Sequence, residues 1–184
     1  MRCFAAIKLS DQVRAEVVRI QRGLRPLDLH AKWVEPENLH VTLKFLGEIR
    51  EDDLPQVRQI VAGISSFAHP FGLRLFGLGV FPDARRPRVL WAGIRPQDNP
   101  LAIIEYLEYE FSGMGILREK RSPHPHITLA RIKSPKNTGE LEGRLSDLRV
   151  EELEWEVQGV SLFKSLLKPS GPAYEEIFTA ILTA

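Results

Sequence analysis

Hydrophobic and polar positions along the chain fall into short runs that alternate between two periods. Arg2 to Leu9 is a compact apolar run ending at Ser10, and Val13, Val17, Ile20 and Leu24 then recur at spacings of 4, 3 and 4. That order predicts a strand followed by an amphipathic helix. Ser10 is placed to cap its first turn, and Pro26 marks its end. Trp33-Val34 and Leu39 to Leu46 read as strands, with Pro36 in a turn between them and Gly47 closing the second. Leu54, Val57, Ile60, Val61 and Ile64 line one face of a second helix, with Asp52, Asp53 and Pro55 in its first turn. Phe71 to Phe81 and Arg88 to Ile94 are two further strands that can pair across the loop PDARRP. Leu101, Ile104, Leu107 and Phe111 predict a third helix, ended by Gly113 and Gly115. A strand over Pro125 to Ile132 follows. After the loop SPKNTG, Leu141, Leu145 and Leu148 predict a short fourth helix. Trp155 to Leu167 and Tyr174 to Leu182, separated by KPSGP, read as a long hairpin.

Strands that are adjacent in sequence and joined by tight turns argue against a purely parallel sheet, so the reading is a mixed α+β fold. Across 184 residues no linker or low-complexity stretch divides the chain, which is read as one unit over 1–184. Lys+Arg 25 against Asp+Glu 24 leaves a net charge of +1, so contact with a polyanion must be local rather than global. Cys3 is the one cysteine, which excludes an intramolecular disulfide and a Cys-based zinc cluster. The opening apolar run is broken by Lys8 and Asp11, too early for a signal peptide core, and no run is long enough to span a bilayer. A cytoplasmic monomer is expected.

One internal similarity carries chemistry. His40-Val-Thr-Leu and His126-Ile-Thr-Leu are the same tetrapeptide pattern 86 positions apart, each on a predicted strand. With five Thr in 184 residues, five His find a Thr two places on about 0.14 times at random, so two hits are informative. On a strand, His40 and Thr42 share a face while Val41 and Leu43 take the other; His126 and Thr128 do the same over Ile127 and Leu129. Two lobes related by a pseudo-twofold, each giving one such strand to a shared cleft, explain the duplication. Two imidazoles and two hydroxyls suit a tetrahedral anion: Thr donates to its oxygens, one imidazole takes a proton from water and the other protonates a leaving oxygen. In-line displacement at phosphorus puts nucleophile and leaving group on opposite sides, as two opposed strands allow.

WVEPENLHVTLKFLGEI (Trp33 to Ile49) and SPHPHITLARI (Ser122 to Ile132) closely resemble the 2H phosphoesterase superfamily, in its RNA 2′,3′-cyclic phosphodiesterase branch, also described as 2′-5′ RNA ligase. RCFAAIKL, PRVLWAGI and SLFKSLLKPSGPAYEEI extend the likeness over nearly the whole chain. The resemblance implies a bilobal α+β fold, two pseudo-twofold-related lobes of mostly antiparallel sheet with helices packed outside and a central cleft. It implies hydrolysis of a terminal 2′,3′-cyclic phosphate to a 2′-phosphomonoester without a cofactor or metal. His40 matches the donor to the departing 3′-oxygen, His126 the base that activates water, and Thr42 and Thr128 the phosphate-binding threonines. Arg131 stands where relatives often carry a basic residue. Simple alternation puts it opposite His126, so a bulge or the strand end is needed to aim it at substrate. His124-Pro125 departs from the more usual Thr-Pro. The expected partner is RNA with a 2′,3′-cyclic phosphate end; ligation to a 5′-hydroxyl, with tRNA halves as candidate substrates, uses the same geometry.

Lys44, by alternation on the face of His40 and Thr42, is a candidate phosphate contact, as are Arg85, Arg86 and Arg88 in their loop. Phe45, Trp33 and Trp91 are of a type that can stack on a base, but apolar packing is the reading taken for all three. His30 and His69 are read as ordinary surface or partly buried residues. Two rival readings stand beside the enzyme: an RNA-end binding module without turnover, and a metal-dependent phosphoesterase in which His124 and His126 would ligate.

Overall fold

The computed structural model describes residues 1–134, 138–169 and 171–184. Residues 135–137 of the predicted SPKNTG loop and Ser170 of KPSGP lie outside the described residues. Nine strands and four α-helices follow in the order β1 (Arg2–Lys8), α1 (Asp11–Leu24), β2 (Ala31–Trp33), β3 (His40–Glu48), α2 (Leu54–Gly63), β4 (Phe71–Phe81), β5 (Val89–Arg95), α3 (Asp98–Gly113), β6 (His126–Ile132), α4 (Leu141–Asp147), β7 (Glu154–Val157), β8 (Gly159–Lys168) and β9 (Gly171–Ile181). The expected α+β class is what the chain adopts.

All strands join one antiparallel sheet in the order β7-β4-β5-β6-β3-β1-β8-β9, with β2 also pairing β6. Two groups of strands meet at its centre, where β3 and β6 share the single ladder pair Val41↔Ile127. The helices cross between them. α1 follows β1 of one lobe but lies under the other, where Gln21 Nε2 donates to the carbonyls of Val34 and Leu129. α3 follows β5 of the second lobe but packs on β3 of the first. This exchange is the pseudo-twofold that the duplicated tetrapeptide implied.

The apolar stripe of α1 is buried as its spacing predicts, and Ser10 Oγ accepts from Val13 N at 3.3 Å. Val41, Leu43, Ile127 and Leu129, the inward residues of the two motifs, sit in the continuous core. One predicted element divides: the run Trp155 to Leu167 breaks at Gln158, so that β7 pairs β4 in one lobe and β8 pairs β1 and β9 in the other. Gly159 makes the turn-in possible, because a Cβ there would stand 2.9 Å from Ala180 O. No helix among the described residues is long and apolar enough to cross a membrane.

Candidate functional site

β3 and β6 run antiparallel through Val41↔Ile127, so that register sets His40 opposite Thr128 and Thr42 opposite His126. The four polar side chains form a square on one face, with the imidazoles on one diagonal and the hydroxyls on the other. Every inward neighbour of the square is buried and each of the four is partly open.

Both strands then carry a bulge at the same place. β1 pairs Ala6 with Thr42 and Ala5 with Lys44, skipping Leu43; β5 pairs Trp91 with Thr128 and Leu90 with Ala130, skipping Leu129. The extra residue reverses the alternation. Phe45 and Arg131, each five residues after its histidine, therefore return to the exposed face. This is the bulge that Arg131 needed. The same bulge corrects the expectation for Lys44, which turns into the protein at 5% exposure. Its ammonium donates to Glu108 Oε2 at 2.7 Å and to Leu117 O at 2.8 Å. Lys44 thus braces the 117–121 segment on α3 rather than standing beside His40 as a free cation.

Each imidazole is oriented in the same way. Nδ1 of His40 donates to Asn38 O at 2.7 Å and Nδ1 of His126 to His124 O at 2.6 Å, the carbonyl two residues back in both motifs. That leaves Nε2 as the nitrogen of each ring not engaged by the backbone; in His40 it meets Thr42 Oγ1 at 2.8 Å. Aromatic rings enclose both. Phe4 and Tyr174 lie 4.8 and 5.4 Å from His40, and Phe81 lies 5.2 Å edge-on to His126, with Trp91 at 6.3 Å. Trp91 lies flat over Gly79, its partner on β4, where any Cβ would overlap the indole.

Burial in these cages holds both imidazoles below the ordinary histidine range. For His40, whose value falls to about 4, the positive charges of His126 and Arg131 add to burial, while the Asn38 carbonyl opposes it. For His126 the further contributions come from His124 and Arg131, opposed by the His124 carbonyl.

A chamber flanks the square at each end along the strands. One, of about 520 Å³, lies beyond Thr42 and His126 and is lined by Phe45, Leu117, Arg118, Lys120, Arg121 and His124 among others. The second, of about 560 Å³, lies beyond His40 and Thr128 and includes Asn38, Arg131, Tyr174, Lys32, Lys168 and Trp33.

Phe45 is exposed rather than packed, while Trp91 packs as expected. Arg85 and Arg86 line neither chamber, and Arg88 donates to Lys133 O. His30 bonds Ser134 and His69 bonds Thr183 O, away from the cleft. Among the described residues no three His, Cys, Asp or Glu side chains gather as a metal-ligand set. Sequence reasoning missed Phe4, Tyr174, Asn38 and the basic run Arg118–Arg121. The run was visible as REKR, but nothing local placed it beside His126.

A family model described as LigT like Phosphoesterase matches residues 7–91 and 94–174. This chain belongs to that family. Its relatives include the RNA 2′,3′-cyclic phosphodiesterase of Methanothermobacter thermautotrophicus, 38% identical over 178 residues and covering 96% of both chains. Another, of Thermus thermophilus, carries the same name and is 37% identical, covering 95% of this chain and 86% of the relative. A crystal structure of a Thermus thermophilus protein superposes with TM-score 0.83 at 35% identity, over 99% of this chain and 98% of that one. Escherichia coli LigT complexed with 3′-AMP shares the fold at TM-score 0.78 and 23% identity, over 100% and 98% of the two chains.

Proposed function

We propose that this phosphoesterase is an RNA 2′,3′-cyclic phosphodiesterase that opens a terminal cyclic phosphate to a 2′-phosphomonoester by two-histidine acid–base catalysis. The observation that carries the reading is the antiparallel square, which sets two imidazoles on one diagonal and two threonine hydroxyls on the other, a donor set that suits one phosphate. The relatives named RNA 2′,3′-cyclic phosphodiesterase support the substrate class.

The phosphate sits over Val41 and Ile127, with Thr42 and Thr128 donating to its non-bridging oxygens. His126 Nε2 takes a proton from water, whose oxygen attacks phosphorus. The bond from phosphorus to the 3′-oxygen breaks on the opposite side, and His40 Nε2 gives that oxygen its proton. Two uncharged imidazoles cannot do this, because one must enter as imidazolium. The substrate supplies the remedy: its phosphate anion stabilises a proton on His40 that the empty cleft disfavours. Arg131, on the same face after its bulge, neutralises charge developing on the phosphate oxygens.

The same ring-opening serves ligation. With the 5′-hydroxyl of a second RNA in place of water, His126 takes its proton, a bond forms from that oxygen to phosphorus, and the 3′-oxygen leaves with the His40 proton. The product is a 2′-5′ phosphodiester, with tRNA halves as natural candidates.

The test is incubation with a short RNA ending in 2′,3′-cyclic phosphate in the presence of excess chelator, followed by identification of the product. A 2′-phosphate formed under chelation is expected. No turnover would favour a binding module, and turnover regained only with metal would favour a metal site at His124 and His126.

A further inference from the structure

The diagonal from His40 to His126, extended past His126, leads across β5 and β4 of the second lobe. Gly93 pairs with His126, and Arg95 is the next residue on that face, about 7 Å further along β5. Leu90, Ala92 and Ile94 of β5 are buried on the opposite face, as are Leu73 and Leu75 of β4. Trp91, Arg95, Phe76 and Arg74 therefore share the open face of His126.

Arg95 is held in place without being neutralised. Its guanidinium lies over the Phe76 ring, 3.3 Å from the ring centre, and among the described residues it forms no ion pair. Directly across the ladder stands Arg74, and like charges opposite one another weaken a sheet. Arg74 reaches Glu152 at 3.4 Å, which screens one of the two cations and leaves the other. Both arginines line a shallow hollow of about 500 Å³ with Pro96, Gln97 and Asp98. The twofold-related place in the first lobe carries nothing similar. There Lys8 pairs with His40 and its ammonium is held by Glu176 at 2.8 Å, while Ser10, two residues on, caps α1. The uncompensated cation thus stands beyond His126, on the side from which the nucleophile comes.

We propose that Arg95, seated on Phe76, and Arg74 form a phosphate-binding track for the strand whose 5′-hydroxyl attacks in ligation, holding the first phosphates downstream of that hydroxyl. The inference rests on the preceding reading, which places the nucleophile at His126. A guanidinium offers its fork of N–H donors to phosphate oxygens without reading a base, so the track takes any sequence. Water needs no such hold, so the track favours ligation and leaves hydrolysis unchanged.

The experiment titrates 3′-labelled, 3′-blocked 5′-hydroxyl pentaribonucleotides of adenylate and of uridylate onto the wild-type chain, Arg95→Ala, Arg95→Lys and Arg74→Ala/Arg95→Ala over a range of salt. In parallel, hydrolysis and ligation of a 5′-phosphorylated cyclic-phosphate RNA are followed with the same pentamers as acceptors. Arg95→Ala should bind both pentamers about fivefold more weakly, and Arg95→Lys, which keeps the charge, should recover most of that affinity. The double variant should lose about 1.4 from the slope of log affinity on log salt, the share of two phosphate contacts on a single strand. The acceptor KM in ligation should rise in step while hydrolysis stays unchanged. Equal pentamer affinity for wild type and both alanine variants, a loss confined to one base, or an equal fall in hydrolysis and ligation would each overturn the proposal. Should the wild-type chain leave the cyclic phosphate intact yet bind the pentamers through Arg95, the preceding reading fails and the track stands.

Discussion

His40 and His126 are the same residue type in the same tetrapeptide, yet their surroundings are not equivalent. Phe4 and Tyr174 enclose the first, Phe81, Trp91 and His124 the second. Changing either to Ala should lower turnover by about 10²–10⁴ while RNA affinity falls modestly, a split that comparison of kcat with a binding titration reads directly. Because both imidazoles titrate below the ordinary value near 6.5, the kcat/KM profile, which reports the free enzyme, should peak on the acid side of pH 6.5. The kcat profile should lie at higher pH, since bound phosphate favours the imidazolium. Arg131→Met removes a positive charge that depresses both groups, so it should move the kcat/KM maximum to higher pH and raise KM. The sign for stability is fixed as well. An imidazole lowered from 6.5 to about 4 binds its proton in the unfolded chain first, so stability is lost as pH falls from 6.5 towards 4. His40→Asn should flatten that loss in thermal melts across this range.

At the scale of elements, the paired bulges do most to shape the site, and they were the least legible feature. A two-residue period fixed the faces of His40, Thr42, His126 and Thr128 from the sequence, because those residues precede the bulge. Beyond it the period fails: Lys44 turns inward and Arg131 outward, and whether a strand slips by one residue depends on its neighbours β1 and β5, not on its own side chains. Lys44→Met therefore tests a brace. It should destabilise the fold by about 2–4 kcal/mol by leaving Glu108 uncompensated, and loosen residues 117–121 in hydrogen exchange. A free phosphate contact would instead raise KM with the melting temperature unchanged. Gly79 is a second point of control. Its substitution by Ala must displace the Trp91 indole, at a cost of about 1–3 kcal/mol and with loss of kcat through His126, as melting and kinetics together would show.

Over the whole molecule, duplication was readable because two tetrapeptides 86 residues apart point to two lobes, and the helix stripes gave each lobe its cover. The crossing of α1 and α3 between lobes was not readable, nor was the split of the last long strand at Gln158, since both are set by which distant strand is the nearer neighbour. The cages came together for the same reason: Phe4 and Tyr174 stand 170 residues apart in sequence and 4.7 Å apart at the site. The twofold gives one polar square with a histidine on each strand and a chamber at each end, and the proposed chemistry makes one side the proton donor and the other the acceptor.

The assignment of those sides is the central claim, and a substrate whose leaving group needs no acid tests it most directly. In a 2′,3′-cyclic phosphate with sulfur in place of the 3′-oxygen, the thiolate departs without protonation. Rates on the oxygen and sulfur substrates should be compared for the wild-type chain, His40→Ala and His126→Ala. The account predicts that His40→Ala, slow on oxygen, recovers most of its rate on sulfur while His126→Ala stays slow on both. Recovery by His126→Ala instead, or no recovery by either variant, would contradict it.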